Sequence, residues 1–188
     1  MKKSAVDRKL ARLPGFKKKD GFYFGTCNDD VMAGYCIDAP PSCIYICRFV
    51  IPTYDDIDFM HMSLGGRILN LPRNDSNNES IDIAGFLRQD WSEFSKLSDR
   101  KHLIAYLDRE GFQGVYALWT RYITHIRNRD FKSAEQLENA EGVREKFLGM
   151  PAVAKNLASL SQAKAKDGWE GCYIQLGAWL NKTKETYC

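Results

Sequence analysis

The sequence predicts an α+β fold: an N-terminal helix and an antiparallel β-meander, followed by a helical C-terminal half. Three observations predict it. Residues 16–71 hold aromatic and β-branched runs broken by short Gly, Pro, Asn and Asp punctuation, the pattern of consecutive strands. The stretch 42–69, SCIYICRFVIPTYDDIDFMHMSLGGRIL, contains a strand, a proline stop, an acidic turn, a second strand and a Gly-Gly reversal. From about residue 90 the apolar residues recur at helical spacing instead.

Each element follows in turn. Ser4 caps a helix to about Leu13, with Val6, Leu10 and Leu13 on one face, and Pro14-Gly15 ends it. Residues 16–27 read as one strand bent at Asp20-Gly21, with Phe22, Tyr23 and Phe24 as good strand residues. Asn28, Asp29 and Asp30 turn the chain. Strands follow over 31–38, 43–51, 57–64 and 67–71, divided by Pro40-Pro41, the acidic turn and Gly65-Gly66. Short links between consecutive strands imply antiparallel pairing. The run 43–51 is apolar on both faces, so the sheet is covered on both sides.

A polar, Asn- and Ser-rich loop over 73–85 divides the chain into a helix-plus-sheet subdomain (1–72) and a helical subdomain (86–188) sharing its core. Ser98-Asp99 caps a helix that runs to about Glu110 and is closed by Gly111. Helices then span 112–126, 133–148, 151–166 and 168–182. Pro151 suits a first helical turn. In the last helix Trp169, Cys172, Tyr173, Leu176, Trp179 and Leu180 form one stripe, a core face or an interface for a homo-oligomer.

Composition narrows the function. An apolar fraction of 44% over 188 residues allows a sizeable core, and no run approaches a membrane span. The N-terminus lacks the apolar stretch of a secretory signal. The expectation is a cytoplasmic protein, with Asn74, Asn78 and Asn181 as chance matches to the glycosylation triplet. Six cysteines without a C-x-x-C pair then read as free thiols packed as small hydrophobes.

No phosphate-binding loop, Gly-rich dinucleotide turn, nucleophile elbow or H-E-x-x-H appears, so no cofactor and no metal are expected. The leading reading is a non-enzymatic protein-binding module. Residues 1–19 carry eight basic groups against Asp7, and residues 20–60 carry seven acidic groups against Arg48. Such asymmetry steers a partner of opposite sign.

Two alternatives stay open. YDDIDFMH gathers Asp55, Asp56, Asp58 and His61, the side-chain types of a metal-dependent hydrolase or nuclease. Asp56, Asp58 and His61 are the first suspects, although strand alternation turns Asp58 away from His61. The other alternative is nucleic-acid binding through Lys17, Lys18 and Lys19 together with Arg121, His125, Arg127 and Arg129, where basic and aromatic residues interleave. Arg121 and His125 resemble the Arg…His motif of HEPN-type ribonucleases. Three residues separate them here, where that family has four to six.

A further resemblance rests on L-x-G-F-K-K-K-x-G-F-Y-F, then the strand ending F-V-I-P-T-Y, then G-G-R-I-L. Residues 13–24 resemble the start of the DUF4304 type, and residues 48–69 resemble other small uncharacterised bacterial α+β proteins. Across residues 5–69 the resemblance implies an immunity or accessory protein of a toxin or defence locus. It assigns no functional residue.

Overall fold

A computed structural model describes residues 2–56, 59–74, 80–97 and 99–188. Helix α1 (Lys3–Leu10) buries Val6 and Leu10. Five strands follow: β1 (Lys17–Lys19), β2 (Phe22–Cys27), β3 (Val31–Asp38), β4 (Cys43–Pro52) and β5 (Gly66–Pro72). They pair antiparallel in sequence order. The fold class is the α+β arrangement expected.

The expected bent strand over 16–27 is a hairpin. Asp20 and Gly21 both have positive φ, 50° and 83°, so the bend is a full reversal. The strand expected over 57–64 is absent from its described part: residues 59–64 form turns and extended chain without strand pairing, and 57–58 lie outside the described residues. The reason is packing. Past Pro52 the chain dives into the helical half, where Tyr54 is fully buried, and β5 takes the place beside β4 directly.

The sheet has two differently covered faces. Tyr23, Tyr35, Ile44 and Ile46 face α1 and the next helix, α2 (Ile83–Phe94), in one core cluster. Phe24, Met32, Phe49 and Ile51 form the opposite cluster, covered by Met60 and by Tyr187. A bulge between Phe24 and Thr26 inserts Gly25. That extra residue shifts the side-chain alternation by one and puts Cys27 beside Met32 on the second face.

Asp82 caps α2 by accepting from the Gly85 amide at 2.9 Å, so this helix begins inside the expected 73–85 loop. Helix α3 (Arg100–Arg109) is capped by Asp99, as expected, whose carboxylate accepts from the amides of Lys101 and His102. Helix α4 (Val115–Arg127) carries Trp119, Tyr122, Ile123 and Ile126 into the helical core. The single helix expected over 133–148 is two, α5 (Phe131–Glu138) and α6 (Val143–Leu148), broken before Gly142 at φ +70°.

Helix α7 (Pro151–Tyr187) is interrupted at Asp167 and Gly168, where a break was expected. The two arms fold back on each other. Cys172 Sγ lies 3.4 Å from the Leu160 carbonyl, whereas twelve residues of straight helix span about 18 Å. Gly171 sits against the Ala163 carbonyl so closely that a Cβ there would lie 2.4 Å from it.

Cys27 and Cys188 are joined by a disulfide across 161 residues of sequence, with Cα atoms 5.6 Å apart. Two of the six cysteines are therefore bridged, which corrects the free-thiol expectation. The bulge supplies the reason, since it turns Cys27 toward the end of α7. A bridge of this kind is more at home in an oxidising compartment than in a reducing one.

Candidate functional site

The β4–β5 connection, residues 53–65, holds the acidic and histidine side chains singled out above. Its base is anchored in the helical half. Tyr54 Oη and Thr124 Oγ1 share a hydrogen bond of 2.8 Å. Asp55 is buried and accepts from Trp119 Nε1 at 3.0 Å and from Asn156 Nδ2 at 3.3 Å. Burial pushes its carboxyl up to about 7, against the opposing pull of those two donors. At the far end Tyr106 Oη donates to the Leu64 carbonyl at 3.1 Å.

Asp56 is held in an ion pair with Lys182 of α7. His61 is nine-tenths buried, stacks on Tyr116 at 4.2 Å, and its Nδ1 accepts from the Ser63 amide at 3.3 Å. Burial holds its pKa down at about 4, so the ring is neutral near pH 7. Its Nε2 is buried with no hydrogen-bond partner among the described residues. Asp58 lies outside the described residues. Asp56 and His61 thus serve different neighbours. Among the described residues no group of three or more His, Cys, Asp and Glu is placed to hold a metal. Sequence reasoning placed Asp55 in that motif but not among its first suspects, since its buried partners, Trp119 and Asn156, lie far away in the chain.

The basic residues fall into two separate places. Lys17 Nζ donates to the Cys188 carbonyl at 3.2 Å, and Lys19 donates to the Thr186 carbonyl, so both complement the C-terminal end of α7. Lys18 pairs with Asp7 at 2.8 Å. Arg121 pairs with Asp108 at 3.0 Å, and His125 meets Asp130 at 3.1 Å. Arg127 lies over the Tyr173 ring, while Arg129 grips Glu170 through two bonds of 2.7 Å. Positions 170 and 186 are about 24 Å apart along a helix. The two basic sets therefore sit toward opposite ends of one arm of α7, and carboxylates offset Lys18, Arg121, His125 and Arg129.

A cavity of ≈ 490 Å³ opens between β4, α2 and α3, lined by Arg48, Phe94, His102, Tyr106 and Arg109 among others. Sequence reasoning did not find it, because its lining comes from three separate elements. Its basic side chains have partners: Arg48 pairs with Asp90, Arg109 with Glu110, and His102 Nδ1 meets Asp99 at 2.9 Å.

Among the described residues of the connection, Phe59, Met62 and Ser63 are exposed. Phe59 is 48% exposed and Met62 is 42% exposed, beside the half-buried Tyr116. Phe59 lies against His61 and Tyr116, and Met62 lies against Cys36 of the second sheet face. No helix among the described residues is long and apolar enough to cross a membrane. No family model, curated protein or solved structure matches this chain.

Proposed function

We propose that the protein is a protein-binding module that acts without catalysis, and that the β4–β5 connection is its contact surface. The observation that carries this reading is the pairing of exposed Phe59 and Met62 with a buried, hydrogen-bonded base at Tyr54, Asp55 and Leu64. A loop anchored at both ends presents its apolar side chains with little ordering left to do, which favours association. Aromatic and methionine side chains are enriched at the centres of protein interfaces. The Asp56–Lys182 ion pair supplies a charged border nearby. The likeness of residues 5–69 to small bacterial α+β proteins suggests the biological setting, an immunity or accessory role in a toxin or defence locus.

The test uses the native chain and two variants, Phe59→Asp and Ile174→Asp, as affinity baits. Ile174 is a second exposed apolar residue, 63% exposed on α7. The reading expects a protein retained by the native chain and by Ile174→Asp but lost with Phe59→Asp, and it expects calorimetry with that purified protein to repeat the order. Circular dichroism confirms that each bait is folded. Equal retention on Phe59→Asp, or metal-dependent hydrolysis of nucleic acid by the native chain, contradicts it.

A further inference from the structure

The second sheet face carries two buried thiols that the binding reading does not use, beside Met62, which it does. Cys36 of β3 and Cys47 of β4 are direct cross-strand partners. Both belong to the alternation that carries Met32, Phe49 and Ile51, and both are buried. Residues directly opposite on antiparallel strands have Cβ atoms about 5 Å apart, so their sulfurs share one space. Met62 of the β4–β5 connection reaches Cys36, with its Sδ 3.0 Å from Cys36 Sγ. A bulge between Ile46 and Cys47 pairs Arg67 of β5 with Cys47. Neither cysteine belongs to the Cys27–Cys188 bridge.

We propose that Cys36, Cys47 and Met62 form a binding site for a soft monovalent metal ion, Cu(I). Two thiolates and one thioether are a soft donor set, which selects Cu(I) over harder cations. Zinc is a poor fit, since its protein ligands are thiolate, imidazole and carboxylate. The absence of a cluster of His, Cys, Asp and Glu among the described residues is consistent with this, because a thioether donor stands outside that set. Binding needs no oxidant. Cu(I) replaces the two thiol protons, which pass to solvent, and accepts a lone pair from the Met62 sulfur.

The resulting centre carries one net negative charge; Arg67, the β5 partner of Cys47, is shared with Asp38 in an ion pair of 3.8 Å and lies over the Tyr45 ring. Metal–sulfur bonds near 2.3 Å hold sulfurs about 4 Å apart, so Met62 must move outward by about 1 Å. Its half-exposed position on a connection rather than a strand permits that. The exposed Met62 also gives the ion a route from solvent to two otherwise buried thiols.

Anaerobic titration with Cu(I) against bicinchoninate tests this, with the Cys27–Cys188 bridge intact. The native chain is expected to hold one equivalent against the chelator. Cys36→Ser and Cys47→Ser should each lose it. Met62→Leu, a change at a half-exposed position that preserves volume, should fold normally and bind at least about tenfold more weakly. Cys43→Ser and Cys172→Ser should bind as the native chain does. The proposal is overturned if the native chain takes up no Cu(I) at micromolar concentration. It is equally overturned if Met62→Leu binds unchanged, if Zn(II) displaces Cu(I), or if Cys36 and Cys47 join each other in a disulfide that leaves no site.

Discussion

The two faces of the sheet are closed by different means. On the first, α1 and α2 lie directly over the strands. Tyr35 is packed between Phe16 at 5.6 Å and Trp91 at 5.8 Å, and its hydroxyl donates to Asp90 at 2.7 Å. The same carboxylate holds Arg48 Nε at 3.0 Å. Whole amphipathic helices supply this cover, so hydrophobic burial, joined by the Asp90 bonds to Tyr35 and Arg48, keeps it in place. On the second face, Phe24 and Phe49 meet at 5.3 Å and are roofed by Met60 and Tyr187, single residues from segments far apart in sequence. That roof is fastened by the Cys27–Cys188 bridge, by Lys17 and Lys19 on the end of α7, and by the Lys184–Asp29 ion pair. A surface roofed by distant segments depends on its fastenings.

The largest effect should come from removing the bridge. Cys27→Ser is expected to lose roughly 3–5 kcal/mol in urea unfolding, because a very long loop is no longer closed in the unfolded chain. In strong reductant the difference from the native chain should vanish. Leu87→Ala on the first face should cost about 2–5 kcal/mol with or without reductant. If the two variants respond alike to reductant, the contrast between the faces is broken.

Asp55 sharpens the contrast through pH. Its carboxyl is raised to about 7 in the folded chain, against about 3.9 in the unfolded chain. Between these values the folded state holds a proton that the unfolded state has lost. Its contribution to stability is therefore fully present below about pH 4 and is lost as pH rises through about 7. Asp55→Asn keeps an acceptor for Trp119 and Asn156 and removes this dependence. The variant should match the native chain near pH 4 and exceed it at pH 8 by up to about 4 kcal/mol. Equal stability differences at both pH values would show that the carboxyl titrates normally.

Gly171→Ala tests the fold-back of α7 on which the second roof rests. A methyl group 2.4 Å from the Ala163 carbonyl forces the arms apart, at a cost of about 1–3 kcal/mol. If the change is neutral in thermal unfolding, the arms are not in contact as described. The smallest effect belongs to Lys19→Ala. Loss of its bond to the Thr186 carbonyl should lower the melting temperature by roughly 1–2 °C at low salt, and by less as salt rises.

Features governed by neighbours in sequence were legible in it. The Asp99 cap, Pro151 at the start of α7, the break at Gly168 and the strands around Pro40-Pro41 all follow from local rules. The start of α2 was hidden, because the Asn- and Ser-rich run masks Asp82 as a cap. The strand expected over 57–64 misled for another reason. Phe59, Met60 and Leu64 have strand chemistry, yet Met60 and Leu64 are claimed by two different core clusters. The candidate site was half legible. YDDIDFMH marked, for its acidic and histidine residues, the connection now proposed as a contact surface, but the exposure of Phe59 and Met62 depends on tertiary packing. The Cys36–Cys47 pair depends on strand register, and a slip of one residue would send the two sulfurs to opposite faces. No local signal joins Cys27 to Cys188 across 161 positions.

The most direct test of the two-face account is residue-resolved amide hydrogen exchange on the native chain and Cys27→Ser, both without reductant. The account predicts faster exchange in Cys27→Ser at β1, along residues 59–65 and over the last turns of α7. It also predicts unchanged protection in α2 and in α3, whose Leu103, Tyr106 and Leu107 pack with Val31, Ala33 and Val50 of the first face. A uniform loss of protection through α2 and α3 would contradict it.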